Sequence, residues 1–158
     1  MREIKFRTWD IESKTIRNNA MPRLTGYGAA WGINGEFDSM GEYEFMQYTG
    51  IKDEYGFMIY EGDICIFNHQ KYKVVHECGS FGLASNNDIN YAIIQAAMDE
   101  FTENEFSGCC NDNFISLWEI YWNFSCEENQ INEIEVIGNI YENAELLERS
   151  EDIHNENR

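Results

Sequence analysis

The chain is poor in positive charge where it matters most. From Val74 to Glu148 there is no Lys or Arg, while 15 Asp or Glu side chains fall in the same span. Residues 1–73 are nearly balanced, with 9 Lys or Arg against 11 Asp or Glu, so the net charge of −18 lies almost wholly in the second half. Repulsion from that many carboxylates opposes any approach of DNA or RNA to residues 74–148, and direct nucleic-acid binding there is excluded. Proline is nearly absent, with Pro22 alone. No apolar run reaches the length of a membrane-crossing helix, and Met1 to Asp10 is charged and alternating rather than signal-like, which predicts a soluble cytoplasmic protein without a membrane partner.

Catalytic and cofactor signatures are also missing. The five cysteines, Cys65, Cys78, Cys109, Cys110 and Cys126, form no Cys-x-x-Cys pair and are odd in number, so in a reducing cytosol they read as buried or idle thiols, Cys109-Cys110 being the pair to watch. Gly26-x-Gly28-x-x-x-Gly32 follows no βαβ strand and leads to no Gly-Lys-Ser/Thr, so it does not read as a phosphate loop. There is no Gly-x-Ser-x-Gly for a nucleophile. His69, His76 and Cys78 are candidate metal ligands on one hairpin, and Glu61 with Asp63 or Glu133 with Glu135 are candidate Mg²⁺ carboxylates. All are read more economically as strand and turn side chains. The expectation is a protein without enzymatic activity, cofactor or metal.

What is present is apolar and aromatic: 43% hydrophobic and 15% aromatic residues, enough for one domain with a real core. The stretch Gln47–Ile64 organises the rest. Tyr43–Tyr48 reads as a strand broken at Thr49-Gly50, Lys52–Gly56 as a polar connection with Gly56 at positive φ, and Glu61-Gly62-Asp63 as a turn into the buried strand Ile64–Phe67. Ile4, Phe6 and Thr8 alternate with Lys5 and Arg7 as an opening strand, followed by a turn and return strand over Ile11–Asn19. Asn34-Gly35 predicts a two-residue hairpin turn between Ala30-Trp31 and Phe37. Lys71–Cys78 pairs with Asp63–Asn68 across His69-Gln70, and Gly79–Gly82 breaks the pattern.

Asn86-Asn87-Asp88 reads as a cap for a helix to about Phe106, on the spacing of Ile89, Ala92, Ile93, Ala96, Ala97 and Phe101. Phe114–Phe124 suits either a helix, with Leu117, Trp118, Tyr121 and Trp122 inward, or a strand, which we favour. Trp118 and Trp122 then belong to the core, a partner anchor being the alternative. Ile131–Tyr141 is a strand, Asn143 caps a short helix through Leu146-Leu147, and residues 150–158 form a polar tail.

Three segments carry a resemblance. Met1–Asp10, then Gln47–Asp53 with Ile59–Ile64, then Val136–Asn143 resemble, in that order, the YopX-like family of phage and prophage proteins. Residues 18–42 and 79–130 find no match by motif. The resemblance implies a small β-rich domain of phage origin with no established enzymatic activity, whose motifs are structural, with Gly50, Gly62, Asp63 and Gly138 as framework positions. The expected fold is α+β: a small, strongly bent β-barrel or sheet framework (1–78 and 131–149), an inserted helical and aromatic segment (85–128) and a short C-terminal helix, in one domain over 1–149 with a flexible tail.

Binding remains as the expected activity. A carboxylate-rich, cation-free surface on a phage protein fits a basic protein surface built to hold nucleic acid, because carboxylates can take the place of phosphates. The expectation is an inhibitor of a host nucleic-acid enzyme, most sharply a Cas9-type CRISPR nuclease, acting in the host bacterial cytoplasm by protein contact. Its candidate partner-binding residues are Asp99, Glu100, Glu103, Glu105, Asp112, Glu127 and Glu128 with Trp118 and Trp122. The alternative is a homo-oligomeric phage accessory protein, and the plainest reading of the charge is solubility alone.

Overall fold

A computed structural model of the chain describes residues 3–25, 28–33, 36–37, 43–86, 88–90, 94, 113–124 and 128–152. They form two antiparallel sheets and two short helices, an α+β framework. The first sheet contains β1 (Phe6–Asp10), β2 (Thr15–Thr25), β3 (Gly28–Ile33), β4 (Glu36–Phe37), β5 (Tyr43–Lys52) and β6 (Met58–Tyr60), ordered β4-β3-β2-β1-β5-β6. The second contains β7 (Asp63–Phe67), β8 (Gln70–Glu77), β9 (Ser80–Ala84), β10 (Phe114–Ser116) and β11 (Ile134–Asn139), ordered β10-β9-β8-β7-β11.

The expected break at Thr49-Gly50 is a bend within one strand. β5 continues to Lys52, with its register against β6 shifted between Tyr48 and Lys52 and Gly50 at φ 90°. Such an irregularity curls a sheet without ending it. The Thr49 hydroxyl secures the bend, donating to the Ile59 carbonyl at 2.8 Å and accepting from the Ile51 N–H at 3.2 Å. Gly56 has the expected positive φ, 81°. The Asn34-Gly35 hairpin has the expected two-residue spacing, because Ile33 pairs with Glu36. The turn residues themselves lie outside the described residues. β2 runs through Pro22 to Thr25, and Gly28 and Gly32 sit on β3 within an antiparallel ladder, not at a strand-to-helix turn.

Two hairpins shape the second sheet. The β7–β8 turn is Asn68-His69, one residue before the expected His69-Gln70, since Phe67 pairs with Gln70 and both turn residues have positive φ, 48° and 64°. Two consecutive positive φ values match the right-handed twist of the flanking strands. The β8–β9 turn, Cys78-Gly79, repeats the device with φ 51° and 77°. Gly79–Gly82 therefore does not interrupt the sheet: Ser80–Ala84 is a strand. Gly82 is required there by contact, since a Cβ would lie 2.3 Å from the Ile115 carbonyl oxygen and 2.4 Å from the Phe114 ring.

Phe114–Phe124, which we expected as a strand, divides. Phe114–Ser116 is β10, and α1 (Leu117–Asn123) begins immediately after it. Ser116 is the N-cap, its hydroxyl accepting from the Trp118 N–H at 3.2 Å. Leu117, Ile120 and Asn123 turn inward, and Trp118 and Trp122 outward. Neither expected orientation of the tryptophans, core strand or inward helix face, is the observed one, because the aliphatic stripe outcompetes the aromatic one for the core. β11 is shorter than Ile131–Tyr141 and carries a register shift between Val136 and Gly138. The last helix, α2 (Glu145–Asp152), packs near β8, where Lys71 donates to the Leu146 carbonyl at 3.2 Å. Of the helix expected up to Phe106, Asn86, Asp88, Ile89 and Asn90 precede any helical turn and Ile94 is helical. The other positions lie outside the described residues.

The core joins both sheets: Ile51 and Ile59 from the first, Cys65, Phe67, Tyr72, Val74, Leu83, Ile115 and Ile134 from the second, with Leu117 and Ile120 of α1, Ile89, Ile94 and Ile131. Burying a side chain of this size stabilises by about 1.5–3 kcal/mol, so α1 is anchored by the same face that pushes its tryptophans out.

Candidate functional site

The motif residues converge on a clasp. Arg7 of β1 pairs with Asp63, the first residue of β7 and almost fully buried, and lies 4.5 Å over the Tyr60 ring. The other Asp63 oxygen accepts from the Tyr60 N–H at 2.7 Å. Burial raises the Asp63 carboxyl to about 6, against the opposing pull of Arg7. Asp53 is buried and accepts from the Tyr55 and Phe57 N–H groups at 3.0 and 2.8 Å and, across the fold, from Val136 N–H at 3.0 Å. Trp9 stacks on Tyr141 at 5.7 Å, and Ile140 N–H donates to the Gly62 carbonyl at 2.9 Å. Gly62 has φ 86°, and a Cβ on Gly138 would lie 2.5 Å from the Asn143 side-chain oxygen. Each pair of motifs is thus joined directly, with Gly62 and Asp63 at two of the junctions. Asp63 is consumed by Arg7 and Tyr60, which removes it from a Mg²⁺ pair with Glu61.

The metal reading of the hairpin fails on distance. His69 lies in the β7–β8 turn and His76 near the far end of β8, so the six strand steps from Gln70 to His76 alone separate them by roughly 20 Å. His76 instead packs edge-on against Phe81 at 4.8 Å, and Cys78 is disulfide-bonded, which corrects the expectation of an idle thiol. Cys65 is a free buried thiol, as expected. Among the described residues no group of three His, Cys, Asp or Glu is placed to hold a metal ion.

A cleft of about 660 Å³ opens between β5 and the β8–β9 end of the second sheet, with Tyr48, Lys52, Phe81, Leu117, Trp118 and Glu128 on its walls. Two of the expected partner-binding residues, Trp118 and Glu128, therefore share one cavity. Trp122 lies one helical turn on, its ring 5.8 Å from Trp118, and Tyr121 lies 5.5 Å from Trp118 and 6.1 Å from Trp122. Trp118 is 55% exposed and Trp122 71%, so the two indoles form an outward ledge at the cleft mouth, with half-buried Tyr121 bridging them to the core and its hydroxyl accepting from the Asn129 N–H at 3.4 Å. Glu128 and Asn129 occupy positive φ, 44° and 62°, in a turn clamped to β5, where Lys52 N–H donates to the Asn129 carbonyl at 2.7 Å and Ile131 N–H to the Lys52 carbonyl at 2.9 Å. Burial, with nearby Glu3 adding to it, pushes the Tyr48 phenol up. Asp99, Glu100, Glu103, Glu105, Asp112 and Glu127 lie outside the described residues. The sequence reading missed Tyr48, Lys52, His76 and Phe81 as cleft residues, and no local pattern marks them, since the cleft is made by two sheets meeting.

Fold and site together define a small two-sheet β protein with a clasp of buried side chains joining its sheets and two exposed tryptophans beside a cleft. The model of the YopX protein family matches residues 5–148, and the chain belongs to that family. The match runs through residues 18–42 and 79–130, which the three motifs left unassigned. Among solved structures, the chain is similar to protein EF1440 from Enterococcus faecalis, at 22% identity over 93% of this chain and 99% of that one, with a TM-score of 0.49. No curated protein matches it. No helix among the described residues is long and apolar enough to cross a membrane.

Proposed function

We propose that this chain is a phage-encoded binding protein that presses an aromatic and acidic surface onto a basic surface of a host nucleic-acid enzyme, in the host cytoplasm, and thereby inhibits it. A Cas9-type RNA-guided nuclease is the sharpest version. The observation that carries the reading is the pair Trp118 and Trp122, spaced i, i+4 and open to solvent on a helix whose opposite face is core. Two exposed indoles forfeit the roughly 25 cal/mol per Å² that burial would supply, and a partner that covers them recovers it. Tryptophan is enriched among residues that dominate binding energy. The cation-free span 74–148 supplies the complementary potential that speeds encounter with a basic surface.

Two modes of inhibition follow from such a surface. Occupying the nucleic-acid groove abolishes substrate binding by the target, whereas clamping a nuclease domain leaves binding intact and stops cutting. The test is a pull-down of the tagged chain from host lysate at low and high salt, beside the same experiment with Trp118→Ala/Trp122→Ala. Capture of a nucleic-acid enzyme that is lost in high salt and in the variant supports the reading. Recovery of the chain alone, with light scattering showing six or more subunits, favours the homo-oligomeric accessory protein instead.

A further inference from the structure

Arg7 shows how this fold satisfies a guanidinium: a carboxylate, Asp63, on one side and an aromatic face, Tyr60, at 4.5 Å on the other. The outer face of α1 offers the same two ingredients. Trp118, Tyr121 and Trp122 meet at interplanar angles of 47°, 40° and 80°, so none of the three pairs is stacked face to face, and the two indoles, both exposed, keep ring surface open to solvent. Glu128 lines the cleft that Trp118 enters, and the last turn of α1 carries no basic residue. Lys52 stands on the facing β5 wall and Glu3 is paired with Lys5 at 3.0 Å, which disfavours a run of cations deeper in the cleft and leaves room for one at its mouth.

Building on the binding role proposed above, we infer that Trp118, Tyr121, Trp122 and Glu128 form a seat for a single arginine side chain presented by the partner protein. Arginine fits better than lysine because its guanidinium is planar and weakly hydrated, stacks on indole and pairs with a carboxylate at the same time. The charge of the acidic half then brings the partner in, and the seat selects the point of contact.

The experiment is a titration of the full chain, followed by the indole N–H resonances of its tryptophans, with the blocked peptides Gly-Gly-Arg-Gly-Gly and Gly-Gly-Lys-Gly-Gly. The arginine peptide should give saturable shifts at Trp118 and Trp122 and leave Trp9, stacked on Tyr141, unmoved. The lysine peptide should bind about threefold or more weakly, the measure of a cation–π preference at a partly exposed site. Glu128→Gln should weaken the arginine peptide severalfold, and Trp118→Leu/Trp122→Leu should abolish saturable binding of it, with the Trp9 resonance reporting an intact fold in each variant. Equal binding of the two peptides, or arginine binding that survives the tryptophan replacements, would overturn the seat while leaving the acidic binding surface standing. No saturable shift with either peptide would overturn the seat as well, and the lysate pull-down then decides the wider binding role by itself.

Discussion

Arg7 and Asp63 lie 56 positions apart and neither is remarkable in its own neighbourhood, yet together they fasten the first sheet to the second. Replacing Arg7 by Met leaves a buried carboxylate without its partner, and a loss of about 3–5 kcal/mol is expected from urea unfolding. The pH dependence has a defined sign. The Asp63 carboxyl titrates at about 6 in the folded chain, above its ordinary 3.8, so the native state holds the proton more tightly in between. Its contribution to stability is therefore full below pH 4 and lost as pH rises through 6, on the order of 3 kcal/mol. Urea midpoints at pH 4, 5, 6 and 7 should show a downward trend that Asp63→Asn flattens, and an unchanged slope in that variant would place the titration elsewhere. The aspartate was legible in the sequence as a framework position through family resemblance, but its partner was not, because residues so far apart leave no spacing to read.

Element by element, the glycines and α1 show what decides local structure. Gly82 and Gly138 both sit where a side chain would collide, but with different neighbours. Gly82 faces the Ile115 backbone and the Phe114 ring, which cannot move without displacing β10, whereas the nearest atoms to a Cβ on Gly138 all belong to the Asn143 side chain. Gly82→Ala should therefore cost about 3 kcal/mol or more, and pairing Gly138→Ala with Asn143→Ala should recover most of the loss from Gly138→Ala alone, as a double-mutant cycle would measure. In α1, Ile120→Ala should destabilise by about 2–5 kcal/mol. Trp118→Ala and Trp122→Ala should each change stability by only about 0.5 kcal/mol while weakening partner binding, and denaturation beside binding measurements separates the two effects. The helix was one of two readings open in the sequence. Leu117, Trp118, Tyr121 and Trp122 as an inward face argued for it, and aromatic density argued for a strand. The preference for strand failed because aromatics can line a solvent ledge when Leu117 and Ile120 already satisfy the core.

Across the whole molecule, charge and fold respond to salt in opposite directions. Carboxylates crowded into residues 74–148 without a cation repel one another, so screening should raise the melting temperature by a few degrees, corresponding to about 1 kcal/mol, between low and moderate salt. Binding to a basic partner should weaken over the same range, since the screening length falls from about 10 Å at 0.1 M to about 3 Å at 1 M. Thermal melts and partner retention measured across one salt series check both, and parallel trends would argue against electrostatic complementarity as the basis of binding. By itself the sequence determined the quantities that depend on local order or on summation: the one-sided charge, the two-residue spacing at Asn34-Gly35, the glycine turns at Gly56 and Gly62, the alternating strands flanking them, and the three motifs that resemble its family. Tertiary structure alone decided which motif touches which, that β9 and β10 join the second sheet, that Trp118 and Trp122 face water, and that a cleft exists beside them. Those outcomes rest on contacts between residues distant in the chain, where competition for a limited core, rather than any local preference, settles which side chain is buried.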